Sequence, residues 1–233
     1  MLVAYTFSKN LSNTVSVIDG GAGSQDVYNR SLEKSVTDYN PPQVLKITWI
    51  YALPFGRGKL IDMGGFFDKV LGGWTMTGIH QYRSGDPIIV SASGANNAIF
   101  NASTRPDWLT TVPTIIDTGA AVRTNGGTPY LNPAAFARVP FTPNGIPTRL
   151  GTAPRVLPNI RTPAFFSEDV GVSKNVMIKE RLKFEIRGDA FNLFNRAHRG
   201  GLVTDVSNIA LFGRLTGQQV GPRSIQVAAR IEF

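Results

Sequence analysis

From Ser224 to Phe233 the chain reads Ser-Ile-Gln-Val-Ala-Ala-Arg-Ile-Glu-Phe, and its two parities differ in chemistry. Ile225, Val227, Ala229, Ile231 and Phe233 are apolar, while Gln226, Ala228, Arg230 and Glu232 alternate with them. A strand sends successive side chains to opposite faces, so a period of two predicts a strand that is greasy on one side and wet on the other. Its length is close to the roughly 9–11 residues that a tilted strand needs to cross a bilayer. Arg181 to Asn192 repeats the pattern with more charge. Leu182, Phe184, Ile186, Gly188 and Ala190 share one face, and Arg181, Lys183, Glu185, Arg187 and Asp189 share the other. Two architectures tolerate such strands. One is a sheet with one face on a core and the other in water. The other is a barrel with lipid outside and a polar lumen inside.

Composition narrows the field. A chain of 233 residues suits one all-β domain. With no Cys, disulfide frameworks and thiolate metal sites are excluded, and two His (His80 and His198) make a multi-histidine centre a poor expectation. No stretch approaches the roughly 18 apolar residues of a membrane helix. A mean hydropathy of −0.04 counts against helical membrane proteins but not against barrels, whose alternating strands average to neutral. The first residues, Met-Leu-Val-Ala-Tyr-Thr-Phe-Ser, lack a basic segment and an apolar run of signal-peptide type. They alternate like a strand already under way, which leaves a cytoplasmic chain or the tail of a longer one with its signal upstream. The second is the favoured expectation. A net charge of +8 raises nucleic-acid binding, but the cations alternate along strands and dot loops without an interleaved aromatic platform, so no nucleic-acid partner is expected.

Along the chain, Val3, Tyr5 and Phe7 open an alternating strand, and a polar, Gly-containing loop follows over 10–40. Leu45, Ile47, Trp49, Tyr51 and Leu53 mark the next strand, which Pro54-Phe-Gly-Arg-Gly-Lys59 breaks. Asp68–Leu71 has the makings of a helical turn, and Trp74–Arg83 of a third strand. Ser84-Gly-Asp-Pro87 is a turn, and Ile88–Ser91 is expected to return as a short strand. Residues 94–164 hold ten of the fifteen prolines and six arginines (Arg105, Arg123, Arg138, Arg149, Arg155 and Arg161) against Asp107 and Asp117. A loop this long is foreign to a compact soluble domain and natural on one rim of a transmembrane barrel. Alternation resumes with Phe166, Val170, Val172, Val176 and Ile178, interrupted by Glu168 and Lys174. The charged strand ends in Phe191-Asn-Leu-Phe-Asn195, where a membrane-interface aromatic girdle would lie. About seven strands emerge.

Several motifs have bland readings that outweigh sharper ones. Arg187-Gly-Asp189 spells an adhesion tripeptide but lies mid-strand, with both charges on one side. Gly56-Arg-Gly-Lys59 lacks the spacing of a phosphate loop and reads as a tight rim turn. His80 shares a face with Trp74 and Tyr82, which suits packing better than metal binding. Glu185 and Asp189 resemble paired catalytic carboxylates, yet Lys183 and Arg187 alternate with them and suit a self-neutralised polar wall. No catalytic set emerges, so an enzyme is not expected. Arg105, Arg123, Arg138 and Arg149 are candidates for contact with an anionic ligand or lipid headgroup, or else belong to a solvated loop.

Taken together, Tyr51-Ala-Leu-Pro-Phe-Gly-Arg-Gly-Lys59, Leu71-Gly-Gly-Trp74 with Ser84-Gly85, Tyr130-Leu-Asn-Pro-Ala-Ala-Phe136, Asp189-Ala-Phe-Asn-Leu-Phe-Asn195 and Phe212-Gly-Arg214 resemble motifs of Oar-like TonB-dependent receptors, which are outer-membrane β-barrels. Their order and spacing carry the likeness, most firmly over 44–90 and 130–233. The resemblance implies a barrel of about 22 strands with an internal plug domain, of which this chain matches only the C-terminal part, with neither plug nor TonB box. It also implies that the terminal Phe233 is the aromatic ending read by the barrel-assembly machinery.

The expectation is therefore an all-β, antiparallel transmembrane β-barrel segment of roughly 7–8 meandering strands spanning 1–233. Its 94–164 loop would be extracellular, and no cofactor is expected. Leu182, Phe184, Ile186, Ile225, Val227 and Ile231 would face lipid. Arg181, Lys183, Glu185, Arg187, Asp189, Arg230 and Glu232 would line the lumen. The expected partners are outer-membrane lipid, the assembly machinery, and a TonB complex acting through a plug carried elsewhere. The rivals are a secreted β-sandwich binding module, which would bury the apolar rows under a second sheet, and a hydrolase on a β scaffold.

Overall fold

The computed structural model describes residues 1–13, 24–26, 28–62, 64–93, 96–97, 102–116, 127–179 and 182–233. Six strands form one antiparallel sheet: β1 (Leu2–Phe7), β2 (Gln43–Ala52), β3 (Trp74–Arg83), β4 (Phe165–Lys179), β5 (Leu182–Phe191) and β6 (Ser224–Glu232). Each pairs with its neighbours in sequence, so the sheet is an unbroken meander with β1 and β6 at its edges. Successive strands run in opposite directions. The connections 8–42, 84–164 and 192–223 therefore gather at one rim, and 53–73 and 180–181 at the other. One rim carries long connections and the other short ones.

Register sorts the side chains. Directly paired residues share a face, and the pairings Tyr5 with Leu45, Leu45 with Tyr82, Tyr82 with Phe166, Val172 with Gly188 and Gly188 with Val227 trace one apolar face through all six strands. The opposite face runs through Lys46 and Gln81, Thr77 and Gly171, Ser173 and Arg187, and Glu185 and Arg230. The apolar side of the period of two read from β5 and β6 thus continues across the sheet, while the opposite face in β2 and β3 also carries the exposed Ile50 and Ile79.

The hydrophobic core lies outside this sheet. Ile88, Val90, Ala92, Leu131, Ala135, Phe136, Leu157, Val206 and Phe212 bury one another in a cap built from the long connections 84–164 and 192–223. The sequence reading treats 94–164 as loop because its pieces are too short to show periodicity. Its described elements include the two-residue strand pair Asp107–Trp108 with Phe136–Ala137, and Thr128–Pro129, which joins Arg199–Leu202 and Arg214–Gln218 of connection 192–223 in a three-stranded sheet. The expected strand Ile88–Ser91 does not join the main sheet. Ile88 and Val90 enter the cap core instead, and the Ile88 carbonyl accepts from Leu157 N at 2.9 Å. Among the described residues the meander therefore has six strands, against the seven to eight expected. The expected helical turn is a short α-helix, Gly65–Leu71, on the short-connection rim.

The sequence motifs turn out to be paired pieces of this architecture. Gly213 adopts φ 75°, and its carbonyl accepts from both Tyr130 N and Leu131 N. Phe136 and Phe212 then meet edge to face at 5.5 Å. The Tyr130–Phe136 and Phe212–Arg214 motifs are thus two halves of one joint. At the other rim, Gly56 approaches Gly72 so closely that a Cβ would lie 3.1 Å from the Gly72 Cα, and Leu53 N donates to the Trp74 carbonyl. The Pro54–Lys59 and Leu71–Trp74 motifs therefore close the β2–β3 turn together.

Gly213→Ala would force an unfavourable φ and bring a Cβ within 2.5 Å of the Leu131 carbonyl oxygen. It should cost about 1–3 kcal/mol. The expected readout is earlier protease cleavage of the cap along a urea series, with the β-sheet circular dichroism signal retained.

Candidate functional site: a two-faced sheet and its cap

The predicted apolar and ionic rows are sorted by the fold. On the ionic side, Lys183 pairs in register with Glu232 and Glu185 with Arg230. Lys183 Nζ lies 3.5 Å from Glu232, Arg230 lies 3.0 Å from the same carboxylate, and Arg187 Nε donates to Asp189 at 2.9 Å. The adhesion-like tripeptide is thus an in-strand ion pair. These pairs are solvated and contribute little stability each, but together they keep a charged wall near neutrality. An open hollow of about 290 Å³ lies against this face around Gly171, bordered by Thr77, Asp169, Arg187 and Asp189. A Cβ on Gly171 would come within 2.5 Å of Asp189 Oδ1. Arg181 lies outside the described residues.

On the apolar side, Phe184 opposes Ile231, Ile186 opposes Ala229, and Ala190 opposes Ile225, with Leu182 on the same parity. Val227 is 73 % exposed and Ile225 70 %, and no second sheet covers them among the described residues. A sandwich would have buried these rows. Aromatic residues gather at both ends of this face. Near the long-connection rim Tyr82 packs against Phe166 at 5.8 Å, and Arg196 sits over Phe166 and Phe194. Near the short-connection rim lie Tyr51, Trp74 and Phe184. Tyr82 and Trp74 are eight residues apart on one strand, roughly 26 Å of chain at the usual strand rise. Allowing for strand tilt, that fits between the aromatic girdles of a bilayer-spanning barrel. Phe233, fully exposed, follows β6 at the short-connection rim.

Polar residues interrupt the apolar face, and His80, Glu168 and Lys174 each have a partner there. His80 Nε2 accepts from Trp49 Nε1 at 2.8 Å, and the Trp49 ring occupies the space that a Gly78 side chain would fill. Glu168, 1 % exposed, takes a 3.1 Å hydrogen bond from Arg196 Nε. Lys174, 7 % exposed, donates to the Lys69 and Val70 carbonyls, both at 2.6 Å. Glu168 and Lys174 were visible in the sequence as breaks in the alternation, but their partners lie at Arg196 and in the helix, which periodicity cannot reach. Arg196 is positioned by the Phe191–Asn195 turn. Asn192 and Asn195 both adopt φ 51°, and the Asn192 side chain accepts from Arg196 N and donates to the carbonyls of Arg196 and Gly221.

The loop arginines are engaged within the cap. Arg105 pairs with buried Glu33 at 2.7 Å, and Arg155 donates to the Glu33 and Ser12 carbonyls, tying connection 8–42 to connection 84–164. Arg149 grips Asp107 with both terminal nitrogens at 2.7 and 2.6 Å. Arg138 lies 4.8 Å from the Phe141 ring centre and donates to the Ser93 carbonyl. Arg123 lies outside the described residues. A second open cleft of about 460 Å³ runs between these connections, bordered by Phe7, Lys9, Lys34, Asn40 and Arg161.

A family model described as "Outer membrane beta barrel domain" matches residues 1–226. The chain belongs to this outer-membrane β-barrel family. Its place is the outer membrane, and its strands are those of an antiparallel barrel domain. No curated protein and no solved structure matches the chain.

Two predictions follow from the geometry of this barrel domain. Arg196→Met strands a buried carboxylate and should cost about 2 kcal/mol, part of which Glu168→Gln in the same chain restores. A lowered urea midpoint for the single variant, partly recovered in the double, checks this. In the cap, the hydrogen bonds from Arg149 hold the Asp107 carboxyl below its usual range. A depressed folded-state pKa means that the contact contributes fully above the ordinary carboxylate pKa, about 3.9, and is lost as pH falls through the folded value. Protease cleavage near Asp107 should therefore increase below pH 4, and Asp107→Asn should show that sensitivity already at neutral pH.

Proposed function

We propose that this barrel domain is the C-terminal wall of an Oar-like TonB-dependent receptor that moves a substrate across the outer membrane with energy delivered from the inner membrane. The observation that carries the proposal is the meeting of motifs. Tyr130–Phe136 joins Phe212–Arg214, and Pro54–Lys59 joins Leu71–Trp74, so the segments resembling that receptor family form contacting pairs in the fold.

In this reading the apolar face meets lipid, through Leu182, Phe184, Ile186, Ile225, Val227 and Ile231. The ionic face, Arg181, Lys183, Glu185, Arg187, Asp189, Arg230 and Glu232, lines a wet interior. Backbone groups in hydrocarbon need partners from neighbouring strands, and the free edges of β1 and β6 would join further strands of the same wall. The long-connection rim, with its cored cap over 94–164, faces the outside and shapes what enters. Arg105, Arg138 and Arg149 contribute by holding the cap surface in place, and Arg123 is left as a candidate ligand contact. The short-connection rim faces the periplasm, where Phe233 is read by the assembly machinery. The wall itself catalyses nothing and binds no nucleic acid. A plug carried elsewhere engages the TonB complex.

An antibody to the cap, used on outer-membrane fractions, tests this directly. The expected band lies far above 25.3 kDa and shifts in mobility on heating. A heat-insensitive band near 25 kDa in the soluble fraction would overturn the proposal.

A further inference from the structure

The helix Gly65–Leu71 is too short to hold itself together in water, where isolated helices below about 12 residues are marginal. Its end is pinned to the sheet. Lys174 Nζ reaches from β4 on the apolar face to the last carbonyls of the helix, those of Lys69 and Val70. Trp74 Nε1 donates to the Val70 carbonyl at 3.0 Å, and the Lys174 ammonium lies 5.5 Å from the Trp74 ring centre. A buried cation on a lipid-type face is costly unless compensated. Here its compensation is a helix C-terminus, where positive charge is favoured.

What this clamp presents is oily. Phe66 and Phe67 are exposed, as are Val70 and Leu71, and Leu60 and Ile61 adjoin them in the same connection. Arg57, Lys59 and Lys69 stand exposed beside these groups, and in sequence the 57–71 stretch has more cations than its two aspartates, Asp62 and Asp68. The patch sits at the short-connection rim, on the same side as Trp74, and so continues the lower aromatic girdle.

We infer that 60–62 and 64–71 form an interfacial foot. Its apolar side chains would enter the headgroup–acyl boundary of the periplasmic leaflet of phospholipid, while Lys174 and Trp74 lock it to the wall. An interfacial helix of this kind buries its apolar face roughly 5–10 Å into that boundary. The cations on the same connection extend towards phosphate level. The foot fixes the depth of the barrel at the rim opposite the cap. This rests on the lipid-face reading of the preceding section.

The test uses the protein purified from outer membranes and reconstituted in phosphatidylcholine–phosphatidylglycerol vesicles, with an environment-sensitive fluorophore on Val70→Cys or, separately, on Val227→Cys. Lipids brominated at shallow or deep acyl positions act as quenchers. Quenching of the Val70 probe mainly by shallow bromines, and of the Val227 probe mainly by deep ones, is the expected result. Adding Lys174→Met should abolish quenching at 70 and leave 227 unchanged; Trp74→Phe, a milder change, should reduce quenching at 70 if the first variant misfolds. A quenched 227 probe with an unquenched 70 probe would overturn the foot alone. An unquenched 227 probe would overturn the lipid-face reading, and the foot with it. Full quenching at 70 in both clamp variants would show that the clamp does not hold the foot.

Discussion

A peptide group in hydrocarbon has no water to bond, so each N–H and C=O must find its partner on an adjacent strand. This constraint governs the molecule. It accounts for the strictly sequential pairing of β1 to β6, because a meander lets each strand meet its neighbour through a simple reversal of direction. It also makes register decisive. A slip of one residue would move Val227 and Ile231 to the ionic side and Arg230 and Glu232 to the oily one, so the ionic pairs of one face and the bare apolar rows of the other reinforce a single alignment.

The cap follows a different logic. Outside the bilayer, water competes for every backbone group, and the long connections build a small apolar core of their own, crossed by ion pairs. Ile88, Leu131, Phe136 and Phe212 are buried there more completely than any apolar side chain of β6. The apolar rows of β6 are thus exposed, while the apolar side chains of the cap are buried against one another. The switch between the two regimes falls at the Ser84–Pro87 turn, where Arg83 and Asp86 form a close pair and Gly85 lies too near the Thr162 carbonyl to admit a side chain.

How much of this could be read from sequence depended on periodicity. β5 and β6 were legible residue by residue, since every charge and every branched side chain took its own parity. The Ile88–Ser91 segment shows the limit: an apolar run after a turn suits a returning strand, yet Ile88 and Val90 pack into a cap core and not into the sheet. The arginines were legible as a cluster, but their partners were not. Glu33 lies 72 residues from Arg105, and no local pattern links them. Lys174 registered as an interruption in an oily row. Only the fold shows that its ammonium closes the end of a helix about 100 residues earlier in the chain.

The central claim is that one parity of the last strand faces lipid and the other an aqueous interior. A nitroxide scan from Ile225 to Glu232 in reconstituted vesicles, comparing accessibility to oxygen and to a water-soluble nickel reagent, tests it most directly. The account predicts oxygen maxima at Ile225, Val227, Ala229 and Ile231, with nickel maxima at Gln226, Ala228, Arg230 and Glu232. A scan with the opposite phase, or with no period of two, would contradict it.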